Sequence, residues 1–188
     1  MKSAVPVPAA ADGGIDLSAI DPADAARALL LWVNSPSNPT GALSDLAAAA
    51  AWGRAHGVPV FSDECYVEFT WDGPASTIPH SGLEGVVAVH SLSKRSNLAG
   101  DRGRHRLGRL AQVRAVGPGL GVPMPAGSFY LWFDAHDGWQ FAERLAREGG
   151  ALVSPGDFYG AGGAHNVRAA VVQPDDRIEL VATRLGVQ

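Results

Sequence analysis

Three short apolar runs in the first half of the chain do not alternate with polar residues. Residues 29–33 read Leu-Leu-Leu-Trp-Val, 58–61 read Val-Pro-Val-Phe, and 86–89 read Val-Val-Ala-Val. Runs of this length without alternation predict strands buried on both faces, as in a parallel sheet covered by helices. Between the first two lies a helix signal. Ser44 is placed to cap it, Asp45 sits in its first turn, the body covers 45–56, and Gly57 ends it. Asp21-Pro22 predicts the start of a short helical turn reaching Ala28. Residues 1–14, rich in Ala, Pro and Gly, read as a disordered or weakly held lead.

The second half has its own rhythm. Strands are predicted over 128–133, 151–153 and 167–172. An amphipathic helix is predicted over 139–148, with Phe141, Leu145 and Ala146 as its apolar stripe, and a closing helix over 174–185 begins at a proline. Between the halves no helical or strand period is visible. That stretch holds Arg102, Arg104, Arg106, Arg109 and Arg114, then Gly117-Pro118-Gly119-Leu120-Gly121. The pattern predicts an α/β chain in four parts. These are a disordered lead (1–20), a larger domain with a parallel-type sheet (21–100), an irregular Arg/Gly/Pro-rich linker (101–126) and a small C-terminal α/β domain (127–188).

Composition narrows the function. The 188 residues are 46% apolar and 18% charged, with a net charge of −4, which argues against a general nucleic-acid or membrane binder. The arginine cluster has no interleaved aromatic platform, so a solvated basic segment is expected there. No apolar run approaches the roughly 20 residues of a membrane span. The N-terminus lacks the pattern of a secretory signal, and a cytoplasmic location follows by elimination. Cys65 is the sole cysteine, so no internal disulfide is expected, and it reads as a small packed residue rather than a nucleophile. The six histidines show no ligand spacing, and no metal site is assigned.

Lys94 stands out, because the only other lysine is Lys2. It follows the run 86–89 at what would be the C-terminal end of a strand, where open α/β sheets bind ligands. Asn38, Asp63 and Tyr66 also follow predicted strands. Pyridoxal phosphate needs an amine for its aldehyde, a carboxylate for its pyridine nitrogen, donors for its phenolate and a cradle for its phosphate. Lys94 and Asp63 suit the first two, and Asn38 and Tyr66 the third. Ser91, Ser93 and Arg102 suit the phosphate. Ser91-Leu92-Ser93-Lys94 also matches the S-x-x-K pattern of serine acyl hydrolases, but no K-T-G or S-D-N element accompanies it.

These residues stand in motifs. They are Asn34-Ser35-Pro36-Ser37-Asn38-Pro39-Thr40-Gly41, Phe61-Ser62-Asp63-Glu64-Cys65-Tyr66 and Ser91-Leu92-Ser93-Lys94-Arg95-Ser96-Asn97-Leu98-Ala99-Gly100. Later come Gly127-Ser128-Phe129-Tyr130-Leu131-Trp132, Ser154-Pro155-Gly156-Asp157-Phe158-Tyr159-Gly160 and Asn166-Val167-Arg168. In this order they resemble the fold-type I (class I/II) pyridoxal-phosphate aminotransferases. Their wording is most similar to actinobacterial succinyldiaminopimelate transaminases of lysine biosynthesis. The resemblance implies that residues 21–100 are part of the large cofactor-binding domain. It makes Lys94 the catalytic amine, with Asp63 at the pyridine nitrogen and Asn38 and Tyr66 at O3′. Ser91 and Arg102 would hold the phosphate, and Arg168 the substrate α-carboxylate. It also implies amino-acid and 2-oxo-acid substrates, N-succinyl-diaminopimelate among them, and a homodimer.

The chain departs from the family in length. Members are about twice as long, and their N-terminal third has no counterpart before Leu29. Only residues 95–126 separate Lys94 from Gly127, where members have well over twice as many. Asp101 and Arg104 replace an aromatic and a small residue. A deletion or frame change is the expected cause, and a non-catalytic remnant of an aminotransferase is the alternative reading.

Overall fold

The computed structural model describes residues 3–71, 73–91, 94, 113–114, 116–117 and 122–186. Arg102, Ser93 and most of the arginine-rich stretch lie outside the described residues. The chain divides into two compact units, Met1–Asp101 with Ala126–Ser128, and Arg102–Pro125 with Phe129–Gln188.

The first unit is built on a parallel sheet, β1 (Leu31–Asn34), β2 (Val60–Asp63) and β3 (Val86–Val89), in that order. Register runs from Leu31↔Val60 to Asn34↔Asp63, and from Val60↔Val86 to Asp63↔Val89. β3 coincides with the apolar run 86–89, while β1 and β2 begin two residues later than their runs. The ladder therefore takes in Asn34 and Asp63 and leaves Leu29 and Leu30 outside. A short turn, α1 (Pro22–Ala25), is capped by Asp21, whose carboxylate accepts from Ala23 N–H at 2.7 Å. The main helix is α2 (Leu46–His56). Its cap is Asp45 rather than Ser44, because the Asp45 carboxylate reaches Ala48 N–H at 2.8 Å. It ends at Gly57 in the left-handed conformation (φ 65°), which glycine adopts without a Cβ clash.

Helix α2 covers one face of the sheet. Leu31, Val33, Val60, Ala49, Ala50 and Ile78 form that core. The other face is less covered than the continuous apolar runs implied. Trp32 is 51% exposed and Val87 41%, and Trp32 stacks on Phe61 across β1 and β2 at 6.2 Å. The cause lies in the strand register. Trp32, Phe61 and Val87 are neighbours on the face opposite α2. The lead differs from the expected disorder. Residues 8–16 fold back through Asp16 N–H to Pro8 C=O and Ala10 N–H to Gly14 C=O, and Thr40 Oγ1 donates to Gly13 C=O.

The second unit has an antiparallel sheet in the order β4 (Tyr130–Asp134), β6 (Asn166–Ala170), β5 (Ser154–Pro155). Its helices are α3 (Gly138–Arg144), continued by a π turn over Leu145–Gly149, and α4 (Asp175–Arg184). Residues 151–153 are not a strand. Leu152 is 90% exposed, and pairing begins at Ser154↔Arg168. The core holds Leu131, Val171, Val113 and Val122, with Val116 packed against it. Three valines of the expected linker thus contribute apolar surface to this unit, a role their spacing among arginines and glycines concealed.

Candidate functional site

The parallel register brings the ends of β1, β2 and β3 to one edge of the first unit, and the polar residues that follow each strand gather there. At the end of β1, Asn34 makes two bonds with one amide. Its Nδ2 donates to Asp63 C=O at 2.9 Å, and its Oδ1 accepts from Asn38 N–H at 2.7 Å. Asp63 C=O accepts a second time from Ser35 N–H at 3.1 Å. Asn38 is exposed, on the turn that follows.

At the end of β2, Asp63 Oδ1 accepts from Cys65 N–H at 3.1 Å, which sets a tight turn. The turn buries Tyr66, leaving it 5% exposed. Lys94 Nζ lies 6.0 Å from the centre of the Tyr66 ring. Half-burial pushes the Cys65 thiol up to about 12, and the neighbouring Asp63 carboxylate adds to the rise. Tyr66 and the Lys94 ammonium act in the opposite sense. Asp63, Cys65, Tyr66 and Lys94 therefore share one electrostatic neighbourhood. Ser91 is half-buried beyond the end of β3.

Glu64 points the other way. It is 1% exposed, and its Oε1 accepts from Ile78 N–H at 2.7 Å. Its Oε2 makes no hydrogen bond among the described residues and faces His90 Nε2 at 3.5 Å. Glu64 N–H donates to Val89 C=O at 2.8 Å, so the backbone ties the β2 turn to β3 just before Ser91.

A distant segment completes the edge. Gly127 N–H donates to Gly41 C=O at 2.8 Å and Ser128 N–H to Phe69 C=O at 2.7 Å. Trp71 Nε1 donates to Ser128 C=O at 2.7 Å. A Cβ on Gly127 would lie 2.7 Å from the Pro36 side chain, so only glycine fits this crossing. Residues 126–128 thus belong with the first unit, whereas the sequence placed 127 and 128 in the C-terminal domain.

Arg168 belongs to the second unit. Its guanidinium lies between Tyr130, at 4.2 Å, and Tyr159, at 4.9 Å, and Nη2 donates to Ser154 Oγ at 3.4 Å. Among the described residues no group of three His, Cys, Asp or Glu side chains is placed to hold a metal ion, and no helix is long and apolar enough to cross a membrane.

Of the residues singled out by sequence, Asp63, Tyr66 and Lys94 come together, with Asn38 tied to Asp63 through Asn34, and Ser91 follows β3. Asn34 and Glu64 were missed as parts of this edge. Asn34 stood in a recognised motif, but its partner carbonyl is 29 residues away. Glu64 stood in a recognised motif with no role assigned to it.

Residues 2–103 match the sequence profile described as aminotransferase class I and II. The chain is similar to the 4-dedimethylamino-4-oxo-anhydrotetracycline transaminase OxyQ of Streptomyces rimosus, at 33% identity over 83% of this chain and 59% of the relative. It is 32% identical to the probable aminotransferase Rv1178 of Mycobacterium tuberculosis, over 83% of this chain and 51% of the relative. Among solved structures it is similar to a probable N-succinyldiaminopimelate aminotransferase from Thermus thermophilus. The TM-score is 0.75 at 28% identity, covering 95% of this chain and 63% of the other. The chain spans between about half and three fifths of the curated relatives' length. The match to the Streptomyces protein runs over 213 positions, while 83% of 188 residues is about 156, so about 57 positions of the relative have no counterpart here.

Proposed function

Because the chain belongs to the class I and II aminotransferase family, whose members depend on pyridoxal 5′-phosphate, we infer that its first unit holds that cofactor at the ends of β1, β2 and β3. The observation that carries this reading is the meeting of an amine, a carboxylate and a phenol, from Lys94, Asp63 and Tyr66, around the Cys65 thiol. The donor set fits the group. Asp63 would hold the proton on the cofactor's ring nitrogen. Asn38 and Tyr66 would donate to its phenolate oxygen, and Ser91 to its phosphate, with Arg102 as a second phosphate partner. When bound, the cofactor supplies an electron sink for charge developing at the substrate α-carbon. Lys94 Nζ would take up and return the proton at that carbon.

Arg168 is the proposed holder of the substrate α-carboxylate. The guanidinium lies over the rings of Tyr130 and Tyr159, and its planar fork of N–H donors is of the kind a carboxylate matches. The reaction is amino-group transfer between an amino acid and a 2-oxo acid. N-succinyl-diaminopimelate is the proposed amino donor, supported by the motif wording and by the Thermus relative. A cytoplasmic homodimer is the accompanying expectation. The experiment supplies cofactor, N-succinyl-LL-diaminopimelate and 2-oxoglutarate, and measures glutamate. Glutamate that disappears in Lys94→Ala supports the reading.

A second reading rests on the missing positions. On this reading a chain lacking about 57 aligned positions of its relative keeps the cofactor-holding edge without the enclosure that excludes water from the reaction. It predicts cofactor uptake with no glutamate from any amino donor.

A further inference from the structure

We propose that Asn34 is a positioning residue, a brace that fixes the Asn38 turn to the Asp63 backbone and so sets the spacing of two cofactor contacts. The proposal rests on the reading of Asn38 and Asp63 given above. Its geometry is unambiguous. Asn38 N–H can only donate and Asp63 C=O can only accept, so the Asn34 amide has one orientation that satisfies both, at 2.7 and 2.9 Å. Backbone bonds hold the two ends of the turn. Ser35 N–H bonds Asp63 C=O, and the turn closes on itself through Ser37 N–H to Ala42 C=O and Gly41 N–H to Ser37 C=O. The Asn34 side chain links Asn38 directly to β2, bonding the Asn38 N–H on one side and the Asp63 C=O on the other. Asn34 itself is anchored, because it is the last residue of β1 and stands opposite Asp63 in the ladder. A side chain on a rigid strand end therefore carries the strand's position into an exposed turn.

The two bonds can be broken separately. Asn34→Asp keeps an oxygen for Asn38 N–H but loses the donor to Asp63 C=O and sets a carboxylate against that carbonyl. Asn34→Ser is too short to make both bonds. The test measures Asn38 amide exchange by NMR on the full chain without cofactor, then titrates each variant with pyridoxal 5′-phosphate. Loss of one hydrogen bond predicts Asn38 exchange about fivefold faster in Asn34→Ser, with near-normal exchange in Asn34→Asp. Cofactor affinity should fall about fivefold or more in both variants, with urea midpoints confirming that they fold. Unchanged exchange in Asn34→Ser overturns the brace. Faster exchange with unchanged cofactor affinity overturns its positioning role. If the wild-type chain takes no cofactor while Asn34→Ser still speeds the exchange, the cofactor reading falls and the brace stands.

Discussion

Cys65 lies between two residues of the proposed site, yet its chemistry is muted. Its thiol is raised from 9.0 to about 12 by burial and by Asp63. At pH 8 the native thiolate fraction is lower than that of a free cysteine by roughly two to three orders of magnitude. Iodoacetamide should therefore label the folded chain very slowly and the urea-unfolded chain at the ordinary rate. Equal rates would show that the Cys65 thiol is not buried beside Asp63 as described. The same shift fixes a pH dependence. The folded chain retains a proton that the unfolded chain loses near pH 9, so this stabilising contribution is intact below pH 9 and is lost as the pH rises toward 12. Glu64 is a second sensitive residue. Glu64→Ala leaves the buried Ile78 N–H without its acceptor, which costs about 1–3 kcal/mol. Glu64→Gln keeps an acceptor oxygen and should cost less, a ranking that urea unfolding can check.

Helix α2 docks on β2 through Gly53. A Cβ there would stand 2.4 Å from Val60 Cγ2 and 2.6 Å from Val58 C=O. In an exposed helix, glycine to alanine gains about 1 kcal/mol. Here the clash is partly with backbone, so Gly53→Ala should destabilise by about 1–3 kcal/mol, and a raised urea midpoint would show that the helix is not seated as described. Asp45→Ala, which removes the cap, should cost about 1 kcal/mol, while Ser44→Ala should be nearly silent. That pair shows what was legible at this scale. Helix, strands and parallel order were readable because apolar runs and turn residues act locally. The cap was misplaced by one residue because Ser44 and Asp45 are equally good caps, and tertiary position decides between them. The short β5 was misplaced because Leu152 looks like a core residue and is exposed. Pairing with β6 selects Ser154–Pro155 instead.

Among the described residues of the first unit, β1 is an edge strand. Leu31 N–H and Ser35 N–H turn toward β2, so the alternating groups of Leu30, Trp32 and Asn34 turn to the outer edge. Leu29 and Trp32 are more than half exposed, and the run 29–33 carries no charge. An uncharged apolar edge favours association between chains. Trp32→Lys should lower concentration-dependent light scattering, and unchanged scattering would show that association arises elsewhere. The motifs made the family legible because each is a contiguous string. The return of Gly127 and Ser128 to the first unit, the Asn34 brace and the buried Glu64 were not legible, since each depends on partners far away in sequence. The central claim is that Lys94 is the amine that engages the cofactor. The direct test is to incubate the chain with pyridoxal 5′-phosphate, reduce with borohydride, digest, and locate the retained cofactor by mass spectrometry. The account predicts cofactor mass on the peptide carrying Lys94 and none retained at that peptide in Lys94→Ala. No retained cofactor, or cofactor carried only by Lys2 or the N-terminal amine, would contradict it.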